Sequence, residues 1–95
     1  VDLQRVDDFF RAIPGITDAG AFLMPGELGY PEVWVAVVTS SELDAQALQE
    51  PALRSLGFTL APSRMLQVRV IPRTLTGKIR RQEMSEKLRS LLANS

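Results

Sequence analysis

Ninety-five residues, 45% of them hydrophobic, suffice for one small domain with its own core, but not for a large substrate pocket ringed by catalytic groups. Neither histidine nor cysteine occurs, which excludes His-based triads, cysteine nucleophiles, disulfides and Cys/His zinc sites. The formal net charge is zero, yet residues 1–63 carry a net −6 and residues 64–95 a net +6. Either the C-terminal third attracts anions, or the two halves neutralise each other across an interface within the fold.

No apolar run approaches the ~20 residues of a membrane span, and the N-terminus lacks a signal-peptide layout. With no cysteine, a cytoplasmic location is expected. The chain opens on Val1 rather than Met and is expected to be a piece of a longer one.

Asp2 is placed to cap a helix over about 3–13, because Val6, Phe9, Phe10 and Ile13 repeat with helical spacing and Pro14-Gly15 ends the run. Asp7 and Asp8 are adjacent, so they point to different sides and are expected to be surface charges near the helix N-terminus. Ile16 to Met24 predicts a strand stopped by Pro25-Gly26. After a turn at Gly29-Tyr30-Pro31, residues 33–39 form a continuous apolar run, as in a strand covered on both faces. Phe9, Phe10 and Trp34 are expected in the core.

Ser41 and Asp44 resemble a capping box that opens a helix over about 42–56. Pro51 interrupts that stretch unless it begins a second short helix, with Leu53 and Leu56 inward and Gly57 closing it. Residues 66–71 alternate as a half-buried strand, with Leu66, Val68 and Val70 on one side. A final helix over about 80–92 carries Met84, Leu88, Leu91 and Leu92 on one face. The fold class is α+β, a small sheet of about three strands flanked by helices in the order α-β-β-α-β-α.

Chemistry concentrates in one segment, Pro72 to Arg81. It is not a Walker loop: the earlier glycine position is Pro72, and Ile79 stands after Lys78 where Ser or Thr is required. Nor does the basic run from Arg64 to Arg89 read as a nucleic-acid surface, since residues 59–95 contain no aromatic for base stacking. Lys78 remains. Thr76-Gly77 before it provides a turn at which the backbone can approach a partner closely. A compact ammonium on a flexible stem suits a negatively charged reaction centre supplied by another domain.

Pro72-Arg73-Thr74-Leu75-Thr76-Gly77-Lys78-Ile79-Arg80-Arg81 closely resembles the last core motif of the adenylate-forming superfamily of acyl-CoA synthetases, nonribosomal-peptide adenylation domains and luciferases. The family pattern Pro-(Arg/Lys)-Thr-x-(Thr/Ser)-Gly-Lys-(Ile/Leu)-x-Arg is met at every fixed position. Val1 to Ile16 resembles the helix after the family's interdomain hinge, Pro25-Gly26-Glu27-Leu28-Gly29 its Pro-Asp-Glu-x-Gly turn, and Glu32 to Val38 the strand after that turn.

The resemblance implies that residues 1–95 are the mobile C-terminal lid of an AMP-forming acyl-CoA ligase acting on a fatty or related organic acid, with the large N-terminal domain absent. It implies that Lys78 is catalytic in ATP-dependent acyl-adenylate formation, and that the lid then rotates for thioester formation with CoA. Thr76 and Gly77 would shape the nucleotide loop; Arg73, Arg80 and Arg81 would steer polyanionic ATP or CoA. The full-length enzyme would use ATP, Mg2+ and CoA, while the fragment is expected to bind no cofactor or metal and to be inactive. Its partners would be its own N-terminal domain, the carboxylic acid and CoA, with no nucleic acid and no membrane span. The alternatives are the lid of an adenylation domain that loads a carrier protein, and a non-catalytic phosphate-binding module.

Overall fold

Asp2 begins the fold as its spacing predicts: its carboxylate accepts from Gln4 N at 3.0 Å and caps helix α1, Leu3–Arg11. The computed structural model describes residues 1–93, so the last two residues of the unit predicted over 1–95 lie outside the described residues. Strand β1, Ile16–Pro25, pairs antiparallel with β2, Pro31–Thr39. The turn between them is closed by Gly26 N donating to Tyr30 O at 2.9 Å. After helix α2, Gln49–Leu56, and a 3-10 turn at Pro62–Arg64, strand β3, Met65–Gln67, joins β2 in parallel. Such a pairing needs a crossover, here the one that contains α2. Helix α3, Arg81–Ala93, completes the predicted α-β-β-α-β-α order around a sheet ordered β1-β2-β3.

Both sheet faces are covered, as the uninterrupted apolar run of β2 requires. On one face Val6 and Phe10 of α1 pack on Ile16, Ala19, Ala21, Val35 and Val37. On the other, Phe22, Met24 and Ala36 meet Ile71 and Met84, with Trp34 half-buried beside them. Phe9 is half-buried, edge-on to the wholly buried Phe10 with ring centroids 5.1 Å apart. Full burial of a side chain such as Phe10 or Val6 is worth about 1.5–3 kcal/mol each.

One irregularity in β1 decides which face Asp18 occupies. Ile16 pairs with Thr39 but Asp18 pairs with Val38, so Thr17 is an extra residue and the strand bulges there. Inward-facing positions on the α1 side therefore run Ile16, Ala19, Ala21. Asp18 is re-aimed to the opposite face, the one shared by Gly20 and Phe22.

Several expectations are corrected. The helix predicted over 42–56 is confined to Gln49–Leu56. Ser41 does not cap it, because the helix begins only at Gln49; the Ser41 N–H and carbonyl are engaged instead by Thr39 Oγ1 at 3.2 and 3.1 Å. Asp44 instead closes a separate turn by accepting from Ala47 N at 3.2 Å. Pro51 falls in the first turn of α2, where its missing N–H is not needed. Gly57 ends the helix as predicted, whereas Leu53 is 52% exposed and Ala52 takes the buried position.

The strand predicted over 66–71 shrinks to Met65–Gln67, which pairs with Val35–Val37 and leaves β2 before that strand ends at Thr39. Val68 N still reaches Val37 O at 2.9 Å, but the ladder goes no further, and Val70 is exposed. In α3 the apolar stripe is buried at Met84 and half-buried at Leu88, while Leu91 and Leu92 are exposed. Finally, Asp7 is no surface charge: it is fully buried.

Candidate functional site

The segment 72–80 folds back on itself as a miniature hairpin. Its arms meet in an antiparallel bridge between Arg73 and Ile79, and Arg80 N donates to Pro72 O at 2.9 Å. Inside it Gly77 N donates to Thr74 O at 3.0 Å and Thr74 N to Lys78 O at 2.8 Å. Lys78 N donates to Thr74 Oγ1 at 3.1 Å, and the Thr74 and Thr76 hydroxyls lie 3.1 Å apart. Gly77 has φ +91°, in the left-handed region where a Cβ costs about 1–2 kcal/mol. Thr76 and Gly77 thus shape the turn from which Lys78 leaves.

The hairpin lies against β1 because Gly20 has no side chain. A Cβ there would stand 3.0 Å from Ile71 Cγ2 and 3.3 Å from Ile79 Cγ2, so the two arms could not seat as they do. Two ion pairs then tie the hairpin's ends to the body. At its start Arg73 donates Nη2 to Asp18 Oδ1 at 2.6 Å and Nη1 to the Gly77 carbonyl at 2.8 Å. Just past its end Arg81 forks onto Asp7, Nη1 to Oδ1 at 3.0 Å and Nη2 to Oδ2 at 2.7 Å. Arg81 Nη1 also donates to Ala21 O, and Asp7 Oδ1 accepts from Ala21 N, each at 2.7 Å. A buried carboxylate with three donors is satisfied.

Lys78 differs from both arginines. It is exposed, and among the described residues its ammonium has no hydrogen-bonding or ionic partner. It borders a cavity of about 530 Å3 whose walls include Arg11, Arg73, Thr76, Gly77 and Arg81 and no carboxylate. Of these cations Arg73, Arg81 and Arg11 are paired with Asp18, Asp7 and Asp8 behind the wall, so Lys78 is the charge left facing an anion. Arg80 stands apart from that wall, half exposed and 3.7 Å from Glu83. Of the three arginines expected to steer anions, Arg73 and Arg81 line the cavity while already holding carboxylates, and Arg80 does not line it.

Sequence reasoning passed over Asp7, Asp18 and Gly20. Asp7 had a signal: Leu3, Val6, Asp7 and Phe10 share one helical face, so the stripe that buries Val6 and Phe10 buries this carboxylate and demands a cation. Asp18 had none, because a strict alternation from Ile16 puts it on the wrong face and the bulge is invisible in the residues.

Among the described residues there is no cluster of three acids that could hold a metal ion, and no helix long and apolar enough to cross a membrane. No family model and no curated protein matches the chain. Solved structures do. The amide bond synthetase McbA from Marinactinospora thermotolerans superimposes with a TM-score of 0.76 and 26% identity over 93% of this chain and 18% of that one. An acyl-CoA synthetase from Brucella canis gives 0.76 and 18% identity over 92% of this chain and 17% of its own. A fatty acyl-CoA synthetase from Mycobacterium tuberculosis gives 0.72 and 23% over 87% and 17%. The chain thus spans under a fifth of the length of the structures it matches. It carries the fold of the C-terminal domain of the adenylate-forming enzymes.

Proposed function

We propose that this chain is the mobile C-terminal lid of an AMP-forming acyl-CoA ligase and that Lys78 is its catalytic cation. One observation carries the reading: a lysine with no partner among the described residues is held on a braced hairpin, beside a cavity whose wall contains no carboxylate. The likeness to acyl-CoA synthetases supports it.

In the proposed reaction a carboxylate oxygen of the acid attacks the α-phosphorus of ATP and pyrophosphate leaves. Lys78 stays protonated throughout. It offsets repulsion between the two anions and stabilises the charge that builds on the phosphoryl oxygens, a contribution of about 3–4 kcal/mol, or 10²–10³ in rate. The lid then rotates, the thiol of CoA attacks the acyl carbon, and AMP leaves. Mg2+ would neutralise charge on the phosphates from the missing domain, since the described residues offer no cluster to hold it. A fatty or related organic acid is the proposed substrate. Thr76 and Gly77 shape the nucleotide loop, and the chain alone is inactive.

A second reading of the transfer step, with an amine in place of the thiol, is favoured by the likeness to an amide bond synthetase at 26% identity. Assays of the full-length enzyme with CoA, a carrier-protein thiol and amines decide the acceptor. Lys78→Ala decides the site: pyrophosphate exchange should fall by about 10²–10³, while thioester formation from supplied acyl adenylate persists. Equal loss in both half-reactions, or none in the first, overturns the assignment.

A further inference from the structure

The geometry points to Asp18 as the positioning residue for Lys78, acting through Arg73 and the Gly77 carbonyl. The inference rests on the reading of Lys78 as the cation of acyl-adenylate formation, and it replaces steering with bracing as the role of Arg73.

Within the hairpin, Thr74 takes both the N–H and the carbonyl of Lys78, and its own carbonyl takes Gly77 N. The Gly77 carbonyl, on the peptide that leads into Lys78, is held instead by Arg73 Nη1 at 2.8 Å. Gly77 is the residue whose dihedrals are freest, so this bond, opposite that of Lys78 N to Thr74 Oγ1, pins the second edge of the peptide plane that leads into Lys78.

Arg73 can hold that plane only if its own guanidinium is held. Asp18 does this with both oxygens: Oδ1 accepts from Nη2 at 2.6 Å and Oδ2 from Nε at 3.4 Å. Asp18 is itself fixed, since Oδ1 also accepts from Ala19 N at 2.9 Å. A planar fork gripped on one side presents its remaining N–H in a set direction, which a lysine cannot do. The bulge at Thr17 completes the device, because without the extra residue Asp18 would lie on the α1 face and not beneath the hairpin. The relay runs from bulge to Asp18, to Arg73, to the Gly77 carbonyl, to the direction in which Lys78 leaves the backbone.

Bracing and steering make opposite predictions. Asp18→Asn removes a negative charge beside a cationic cavity, so under steering ATP binds better and its KM falls. Arg73→Lys keeps the charge, so under steering little changes. Under bracing, both substitutions lower kcat for pyrophosphate exchange by about 10- to 100-fold, as expected for a misplaced catalytic group. KM for ATP and thioester formation from supplied adenylate stay unchanged. An Asp18→Asn enzyme with lower KM and undiminished kcat, or an Arg73→Lys enzyme of full activity, overturns the proposal.

The structural half is tested apart from catalysis by NMR relaxation on the 95-residue chain. Asp18→Asn should drop backbone order parameters at Gly77 and Lys78 below about 0.6 while α1 stays rigid. Unchanged order at these residues overturns the relay whatever Lys78 proves to do. Should Lys78→Ala leave adenylation intact while order falls as expected, the functional reading fails and the relay stands as a structural brace. If Asp18→Asn and Arg73→Lys both lose their circular dichroism, the pair belongs to folding at large and the proposal is overturned.

Discussion

Two ion pairs flank the Lys78 hairpin, almost equal in length and very unequal in setting. Arg73 and Asp18 meet at 2.6 Å with side chains 29% and 28% exposed. Arg81 and Asp7 meet at 2.7 Å, with Arg81 28% exposed and Asp7 wholly buried. In the first, water competes for both partners, and an ion pair of that kind contributes about 0–1 kcal/mol. In the second, removing the guanidinium strips a wholly buried carboxylate of two hydrogen bonds and leaves Arg11 Nη2 3.9 Å away, beyond hydrogen-bond reach. The same chemical pair therefore serves two ends: one fixes helices α1 and α3 to the sheet, and the other sets the direction of a loop.

That contrast breaks first at Asp7. Arg81→Ala, which strips the buried carboxylate of both its guanidinium hydrogen bonds and leaves Arg11 3.9 Å away, is expected to destabilise the domain by about 3–5 kcal/mol. At about 4–8 °C per kcal/mol for a domain of this size, the fall in Tm is large and calorimetry reads it directly. The companion variant Asp7→Leu/Arg81→Met removes both charges together and should recover most of the loss, because the cost lies in the stranded charge and not in the pair. A double variant as unstable as the single would show that the ion pair itself, rather than burial, carries the effect.

The next effect in size tests how the hairpin is seated. Gly20→Ala places a Cβ 3.0 Å from Ile71 Cγ2, 3.3 Å from Ile79 Cγ2 and 3.4 Å from Met84 Cε. Met84 can turn aside, but a β-branched isoleucine has little rotamer freedom to yield. Overpacking of this order costs about 1–3 kcal/mol. Urea denaturation would measure it, and a variant as stable as the parent would mean the arms are not tightly seated on β1.

These sites also mark how far the sequence could be read. The motif residues, the order of elements and the strand covered on both faces were legible because each is local: a spacing, a turn signal or an apolar run. The polarised charge was legible only as a choice between two readings, of which neutralisation across the fold is the one observed. Arg64–Glu32, Arg73–Asp18 and Arg81–Asp7 join the basic third to the acidic remainder, while Lys78 stays uncommitted. What stayed hidden depends on register. A bulge at Thr17 changes which face Asp18 occupies, and β3 leaves β2 after Gln67, yet neither leaves a trace in composition or period.

The smallest effects separate loop from fold. Asp18→Ala should cost no more than about 1 kcal/mol, and its cost should shrink as salt screens a pair this exposed. Lys78→Ala should leave the Tm where it is, because among the described residues the ammonium binds nothing that its loss would strand. Differential scanning calorimetry of both variants at low and high ionic strength checks the pair of expectations. A substantial drop for Lys78→Ala would mean that the lysine holds the fold together, and a cation already employed there could not be spared for an anion brought by another domain. An unmoved Tm, set beside the large loss at Arg81, instead gives a domain whose arginines hold the frame and whose one unpaired hairpin cation is kept free to act.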